Sequence, residues 1–186
     1  MKKIFVTLSL ILSSCMFLMA QQTTETFAKK DNVLGVGFGI GGVYGFSSVS
    51  SQSPVFGVQY DRGIIELKMG GVIGVGGFLG YKTISYKYNG LGNSYKDKWN
   101  IVIIGARGTF HYDLFEVENL DTYGGAMIAF HVVNEIDGSE YSKNHGSAAY
   151  PSLFAGAKYY FAPQVAAFAE VGYGVSWLTG GIAFKF

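Results

Sequence analysis

Thr179-Gly180-Gly181-Ile182-Ala183-Phe184-Lys185-Phe186 ends the chain. Apolar residues alternate here with small or polar ones, and the run stops on an aromatic residue. Period two is the signature of a strand with one face in an apolar environment. Chain termini fray unless paired. A strand that runs to the last residue therefore predicts pairing with another strand of the same chain.

Moving outward from this stretch, the same period recurs with turn-forming clusters between the runs. It predicts strands over 177–186, 165–175, 149–161, 122–133, 99–114, 67–88, 55–63 and 33–43. The links alternate in character. Residues 44–54, 89–98 and 134–148 are longer and rich in Ser, Gly and Asn, whereas those near 64–66, 115–121 and 162–164 are tight. A tight hairpin is also expected around Ser176. Eight antiparallel strands, each near or beyond the ~9–11 residues that cross a bilayer at a tilt, with short turns at one end and longer loops at the other, predict an all-β fold: a transmembrane, antiparallel up-and-down barrel. Both termini then lie on the short-turn, periplasmic side.

The faces separate by parity. On the first strand Leu34, Val36, Phe38 and Ile40 alternate with Gly35, Gly37, Gly39 and Gly41; on the fourth, Val102, Ile104, Ala106 and Phe110 alternate with Ile103, Gly105, Arg107, Thr109 and His111. The first set in each case should face lipid. An eight-stranded barrel is just wide enough inside for side chains to fill, so inner glycines make room for larger residues opposite. The same reading sends Ala155, Ala157, Tyr159, Phe161, Val171 and Tyr173 outward, and Gln59, Asp61, Lys158, Tyr160 and Glu170 inward. Asp61, Arg107, Lys158 and Glu170 thus form an expected lumen charge network. Register across the 162–164 turn is expected to set Lys158 close to Glu170. Tyr60, Tyr81, Tyr86, Tyr88, Trp99, Tyr112, Phe115, Tyr159, Phe161, Trp177, Phe184 and Phe186 fall near strand ends, where interfacial girdles place their rings.

At the other end of the chain, Lys2 and Lys3 precede an apolar run that ends at Ala20, followed by the polar Gln21, Gln22, Thr23 and Thr24. This predicts a secretory signal peptide over 1–20 with cleavage between Ala20 and Gln21. A short periplasmic segment over 21–32 and the barrel over 33–186 would follow. Leu12-Ser13-Ser14-Cys15 offers an alternative, since it resembles a bacterial lipobox in which Cys15 is acylated. Removing residues 1–20 leaves 12 Lys and Arg against 13 Asp and Glu. Such a balance gives nucleic acid nothing to bind. The lone cysteine, Cys15, falls in the leader, so neither a disulfide nor thiolate chemistry is expected in the exported protein. Glycine at 27 residues beside 16% aromatics does not describe a disordered chain, because such chains are poor in aromatics.

Several phrases, Ile104-Gly105-Ala106-Arg107-Gly108, Phe154-Ala155-Gly156-Ala157-Lys158-Tyr159-Tyr160-Phe161 and Ala169-Glu170-Val171-Gly172-Tyr173-Gly174, together with terminal Phe186, resemble the outer-membrane protein β-barrel domain family of small OmpX-like and opacity-like barrels. Gly181, Phe184 and Phe186 resemble the C-terminal assembly signal of bacterial outer-membrane barrels. The resemblance implies an eight-stranded barrel, integral to the outer membrane of a Gram-negative envelope. The partners it implies are outer-membrane lipid and, during insertion, the barrel-assembly machinery; it says little about activity.

Some small barrels of this kind are enzymes that use Ser, His and acidic residues at the outer rim. His131, Glu135, Asp137, Ser139, Glu140, Ser142 and His145 are the residues that could serve, but a nucleophile needs a base in reach and a third group to orient it, which loop spacing does not establish. His111, beside Asp113, reads as a polar lumen or rim residue. Glu135, Asp137 and Glu140 do not follow the order of a calcium loop, and alternating Gly35, Gly37 and Gly39 precede no helix that would complete a phosphate cradle. No catalytic residue, metal or cofactor is expected. The function expected is structural or surface-interactive, with a plugged lumen and outer loops that could meet an extracellular partner. The alternative is a porin-like carrier of a small hydrophobic molecule, with Phe78, Ile103 and Met127 lining its passage; an enzyme at the external rim comes third.

Overall fold

The computed structural model describes residues 26–42, 51–68, 70–90, 93–137 and 147–186, except the side chains of 86–97 and 135–137. Eight long strands form the wall: β1 (Asn32–Ile40), β2 (Val55–Glu66), β3 (Val72–Gly90), β4 (Asn93–His111), β5 (Leu120–Asp137), β6 (Ala148–Ala162), β7 (Val165–Tyr173) and β8 (Leu178–Lys185). Each pairs antiparallel with its sequence neighbour, and β8 returns to β1 in the register Val33↔Lys185 to Ile40↔Leu178, which closes the sheet into a barrel. A two-residue strand, Ser51–Gln52, adds to the outer part of β3. Closure removes both sheet edges over the paired region, so the backbone donors and acceptors there are satisfied strand to strand. Beyond β8, Phe186 and Asn32 exchange backbone hydrogen bonds at 2.9 and 3.2 Å.

The wall is uneven in height. β3 and β4 each run 19 residues, against nine for β1 and β7 and eight for β8. At ~3.3 Å per residue, the β3–β4 hairpin extends well past its neighbours. Much of what reads as a loop over 89–98 is therefore strand: pairing continues to Asn89↔Ser94 and Gly90↔Asn93. The Asn, Gly, Ser and Lys of this stretch resemble loop composition, but the backbone ladder continues into it from Tyr88↔Tyr95. Strand β5 likewise runs to Asp137, into the link expected over 134–148. The predicted first and seventh strands end early instead. Gly41 and Gly42, and then Gly174, take φ values of 83°, 115° and 110°, which are open to glycine and turn the chain out of the sheet.

Parity decides the rest. Leu34, Val36, Phe38, Ile40, Val75, Leu79, Ile104, Phe110, Ile128, Leu153, Val171 and Ile182 are exposed on the outside of the wall, while Asp61, Arg107, Lys158 and Glu170 are buried inside it. A water-soluble barrel has the reverse distribution. The expected aromatic belt keeps exposed members at Tyr81, Tyr112, Phe115, Tyr159, Phe161, Trp177, Phe184 and Phe186. Trp99 is corrected: it shares parity with Ile101 and Ile103 and is buried in the interior. The side chains of Tyr86 and Tyr88 lie outside the described residues, as does the predicted leader with Ala20 and Gln21.

Candidate functional site

The lumen is stacked in layers. Nearest the end that carries the termini, Val33, Val72, Tyr160, Ala166, Phe168 and Ala183 form an apolar floor, joined by Phe27 from the chain before β1. Nearest the loop end, Val55, Ile84, Ile101, Ile103, Met127, Ala129 and Val175 form an apolar roof, with Phe78, Val133 and Phe154 packed against it. Between them lies a layer of ions. Each member is carried inward by the period of its strand, and burial in low dielectric obliges it to pair.

Arg107 on β4 is the hub. Its Nε lies 3.0 Å from Asp61 Oδ1, and its Nη2 donates to Glu170 Oε1 at 2.9 Å. The third arm, Nη1, donates to Gln59 Oε1 at 2.7 Å, and Gln59 Nε2 in turn donates to Glu170 Oε1 at 3.2 Å. Tyr123 Oη donates to the same Glu170 oxygen at 2.9 Å. The guanidinium also lies over the Phe154 ring at 4.2 Å, which joins the ion layer to the roof. A planar, always charged fork suits this position better than a lysine ammonium would, because its two Nη groups donate to Gln59 and Glu170 while its Nε side lies against Asp61.

Lys158 on β6 serves the other side of the layer. Its Nζ is 3.5 Å from Asp121 and 3.9 Å from Asp61, and 3.5 Å from the centre of the Tyr123 ring. His111 continues the chain of contacts, with Nδ1 at 2.9 Å from Asp121 and Nε2 at 3.1 Å from Thr109 Oγ1. The structure thus brings Asp61, Arg107, Lys158 and Glu170 into one buried system, and adds His111, Asp121, Gln59 and Tyr123 to it. The β6–β7 register is the one expected and puts Lys158 and Glu170 two positions apart on the same inner face, but their ion contacts go elsewhere. The register sets Lys158 opposite Phe168 and Gly156 opposite Glu170. Glu170 turns to Arg107, and Lys158 to the carboxylates of β2 and β5.

Asp121 escapes the sequence reading for a definite reason. A predicted fifth strand that begins at residue 122 leaves it in a turn, whereas the observed strand begins at Leu120 and sets Asp121 directly opposite Lys158. Starting the period two residues before Tyr123 would have found it. His131, placed by sequence at the outer rim, is fully buried inside the barrel and packs at 4.9 Å from the Tyr150 ring. Lys82, with the same inward parity on β3, is also fully buried. Ser139, Glu140, Ser142 and His145 lie outside the described residues, as do the side chains of Glu135 and Asp137.

Thr109, His111 and Asp121 have the order of a hydroxyl, a base and an orienting carboxylate. Thr109 is nonetheless only 3% exposed and lies between the Gly74 backbone and the His111 ring. At this burial the three side chains brace one another inside the barrel. Phe78, Ile103 and Met127 do face inward, where Ile103 and Met127 belong to the roof and Phe78 packs against it. The cavity beside Phe78, Met127 and Arg107 holds about 20 Å³, and its neighbour beside Gly57 and Phe168 about 10 Å³.

Of the expected assembly residues, Phe184 and Phe186 are exposed at the terminal end. Gly181 has a packing reason of its own. A Cβ there would run into the Val36 carbonyl oxygen of β1 and lie 2.8 Å from the Phe168 ring, so glycine lets the closing strand seat against the first.

No protein-family model matches the sequence, and no curated protein matches it. Among solved structures, the N-terminal β-barrel domain of OprF from Pseudomonas aeruginosa is 18% identical, with 85% of this chain and 98% of that one covered and a TM-score of 0.49. The Yersinia pestis outer membrane protein Ail, determined in a phospholipid bilayer nanodisc, is 14% identical over 85% of this chain and 100% of its own, with a TM-score of 0.43. Both likenesses concern fold alone.

Proposed function

We propose that this chain is a small integral outer-membrane barrel that fills its own lumen, serves a structural role in the membrane and meets partners only through its outer loops. The observation that carries the reading is the inversion of polarity. A closed wall exposes Val36, Leu79, Ile104 and Ile128 outward and buries Asp61, Arg107, Lys158 and Glu170 inward, an arrangement stable in lipid. In this orientation the termini and short turns face the periplasm. Gly181, Phe184 and Phe186 act as the signal read by the barrel-assembly machinery, and residues 1–20 are removed after Ala20.

Layered packing supports a structural role over transport. Spaces of about 20 and 10 Å³ hold about one water each, whereas a carrier of a small hydrophobic molecule needs a connected apolar passage. The test is single-channel recording after the protein is refolded into a planar bilayer. The filled-lumen reading expects a silent membrane; steady, discrete ionic steps would overturn it.

A further inference from the structure

The floor of the lumen has one member that no strand carries. Phe27 belongs to the chain before β1, yet it is only 6% exposed and packs with wall residues Val33, Val72, Tyr160 and Phe168. Its ring stacks face to face on His111, with centroids 3.7 Å apart and planes 16° from parallel. The wall is hollowed to receive this arm. A Cβ at Gly63 would strike the Ala28 carbonyl oxygen, so glycine there lets the arm lie against β2.

The segment is held at its base. Lys30 takes a φ of 77°, a left-handed turn that folds the chain back into the mouth. Lys30 N–H donates to the Gly63 carbonyl at 2.9 Å, Gly63 N–H to the Asp31 carbonyl at 3.0 Å, and Ala28 N–H to Asp31 Oδ2 at 3.0 Å. Asp31 also lies 3.7 Å from Lys185 Nζ on the closing strand. Outside the ring opens a cleft of about 460 Å³, lined by Thr26, Phe27, Glu66, His111 and Glu118 among others. Directly behind it lies the ion layer, reached through His111 and Asp121.

We infer that residues 26–31 are a cork that closes the periplasmic mouth and keeps water from the ion layer. The apolar roof is built from strand residues and Val175 of the β7–β8 link, whereas the floor at the mouth is completed by one aromatic side chain on a short arm that is clamped where it enters β1. Withdrawal of Phe27 breaks no strand pairing and uncovers the face of His111 that the ring stacks on, extending the cleft toward Thr109 and Asp121.

The inference rests on the filled-lumen reading, and its test separates the two. Thr109, buried behind the Phe27 contact, is changed to Cys in a chain with Cys15→Ser. A charged maleimide is then applied to the protein folded in detergent micelles, where both ends are open to the reagent. With Phe27 present labelling should be slow. With Phe27→Ala it should rise by about tenfold or more, as expected when a local barrier to opening is removed, and Phe27→Leu should restore slow labelling. Asp31→Ala, which loosens the arm without touching the lumen, should also speed labelling and carries the test if Phe27→Ala does not fold. Equally slow labelling with Phe27, Phe27→Ala and Asp31→Ala would overturn the cork and leave the filled lumen standing. Fast labelling with Phe27 present would overturn both.

Discussion

The ion layer and the apolar roof occupy the same tube, one above the other, and are built on opposite terms. In the roof, Ile101, Ile103, Met127 and Val175 exclude water by bulk, and what each residue touches matters less than that the volume is filled. In the ion layer, Arg107 lies 3.0 Å from Asp61 and donates to Glu170 at 2.9 Å, and Gln59 and Tyr123 hydrogen-bond to the same Arg107–Glu170 pair. Here partner identity decides the outcome. A roof residue can be replaced by another of similar size, but an ion cannot lose its partner without leaving a charge buried alone.

This contrast breaks most readily at its hub. Arg107→Ala should leave Glu170 without its cation and Asp61 with Lys158 alone at 3.9 Å, and cost about 3–5 kcal/mol, measured by urea unfolding of the barrel in phospholipid vesicles. A loss under 1 kcal/mol, the range of exposed pairs, would mean that water reaches the layer. Replacing the hub and both carboxylates together, as Arg107→Met with Asp61→Leu and Glu170→Met, should recover much of the loss because no buried charge then lacks a partner.

The apolar members of the roof should respond to volume. Ile103→Ala is expected to cost about 2–5 kcal/mol, whereas Met127→Leu, which keeps the volume, should stay below about 1.5 kcal/mol. Similar losses from the two changes would erase the distinction between the layers. On the lipid side of the same strand, Ile104→Lys should cost about 2–4 kcal/mol if that position sits near the bilayer midplane. The smallest effect concerns partner choice. A double-mutant cycle of Arg107 with Glu170 should give a coupling of about 0.5–3 kcal/mol, the range for residues in one network. Lys158 with Glu170 should give less, because Lys158 answers to Asp121 and Asp61. The reverse order would restore the pairing that register arithmetic alone suggests.

Period two made the faces legible. Every inward assignment on β4, from Ile103 to His111, follows from counting alternate residues, and so does the presence of Asp61, Arg107, Lys158 and Glu170 in the interior. Partner choice was not legible, because it depends on barrel stagger and on how far each side chain reaches across the lumen. Lys158 and Glu170 are near in register along adjacent strands, yet Arg107 comes from across the barrel to take the glutamate. Strand ends were hidden for a local reason. Asn, Gly, Ser and Lys around 89–98 compose a loop and a long polar hairpin equally well, and an onset two residues late concealed Asp121. Phe27 gave no signal, since a single aromatic before the first strand has no period to place it.

The central claim is that one wall separates lipid from a dry, filled interior, and a nitroxide scan along β4 tests it most directly. Single cysteines at positions 101–110, in a chain with Cys15→Ser, are spin-labelled after refolding into vesicles, and collision with oxygen and with a water-soluble nickel chelate is measured at each. Labels at 102, 104, 106, 108 and 110 should collide freely with oxygen, which concentrates in lipid, while labels at 101, 103, 105, 107 and 109 should be reached by neither reagent. Access of the nickel chelate to the odd positions would describe a water-filled pore, and the loss of the two-residue period would contradict the barrel wall itself.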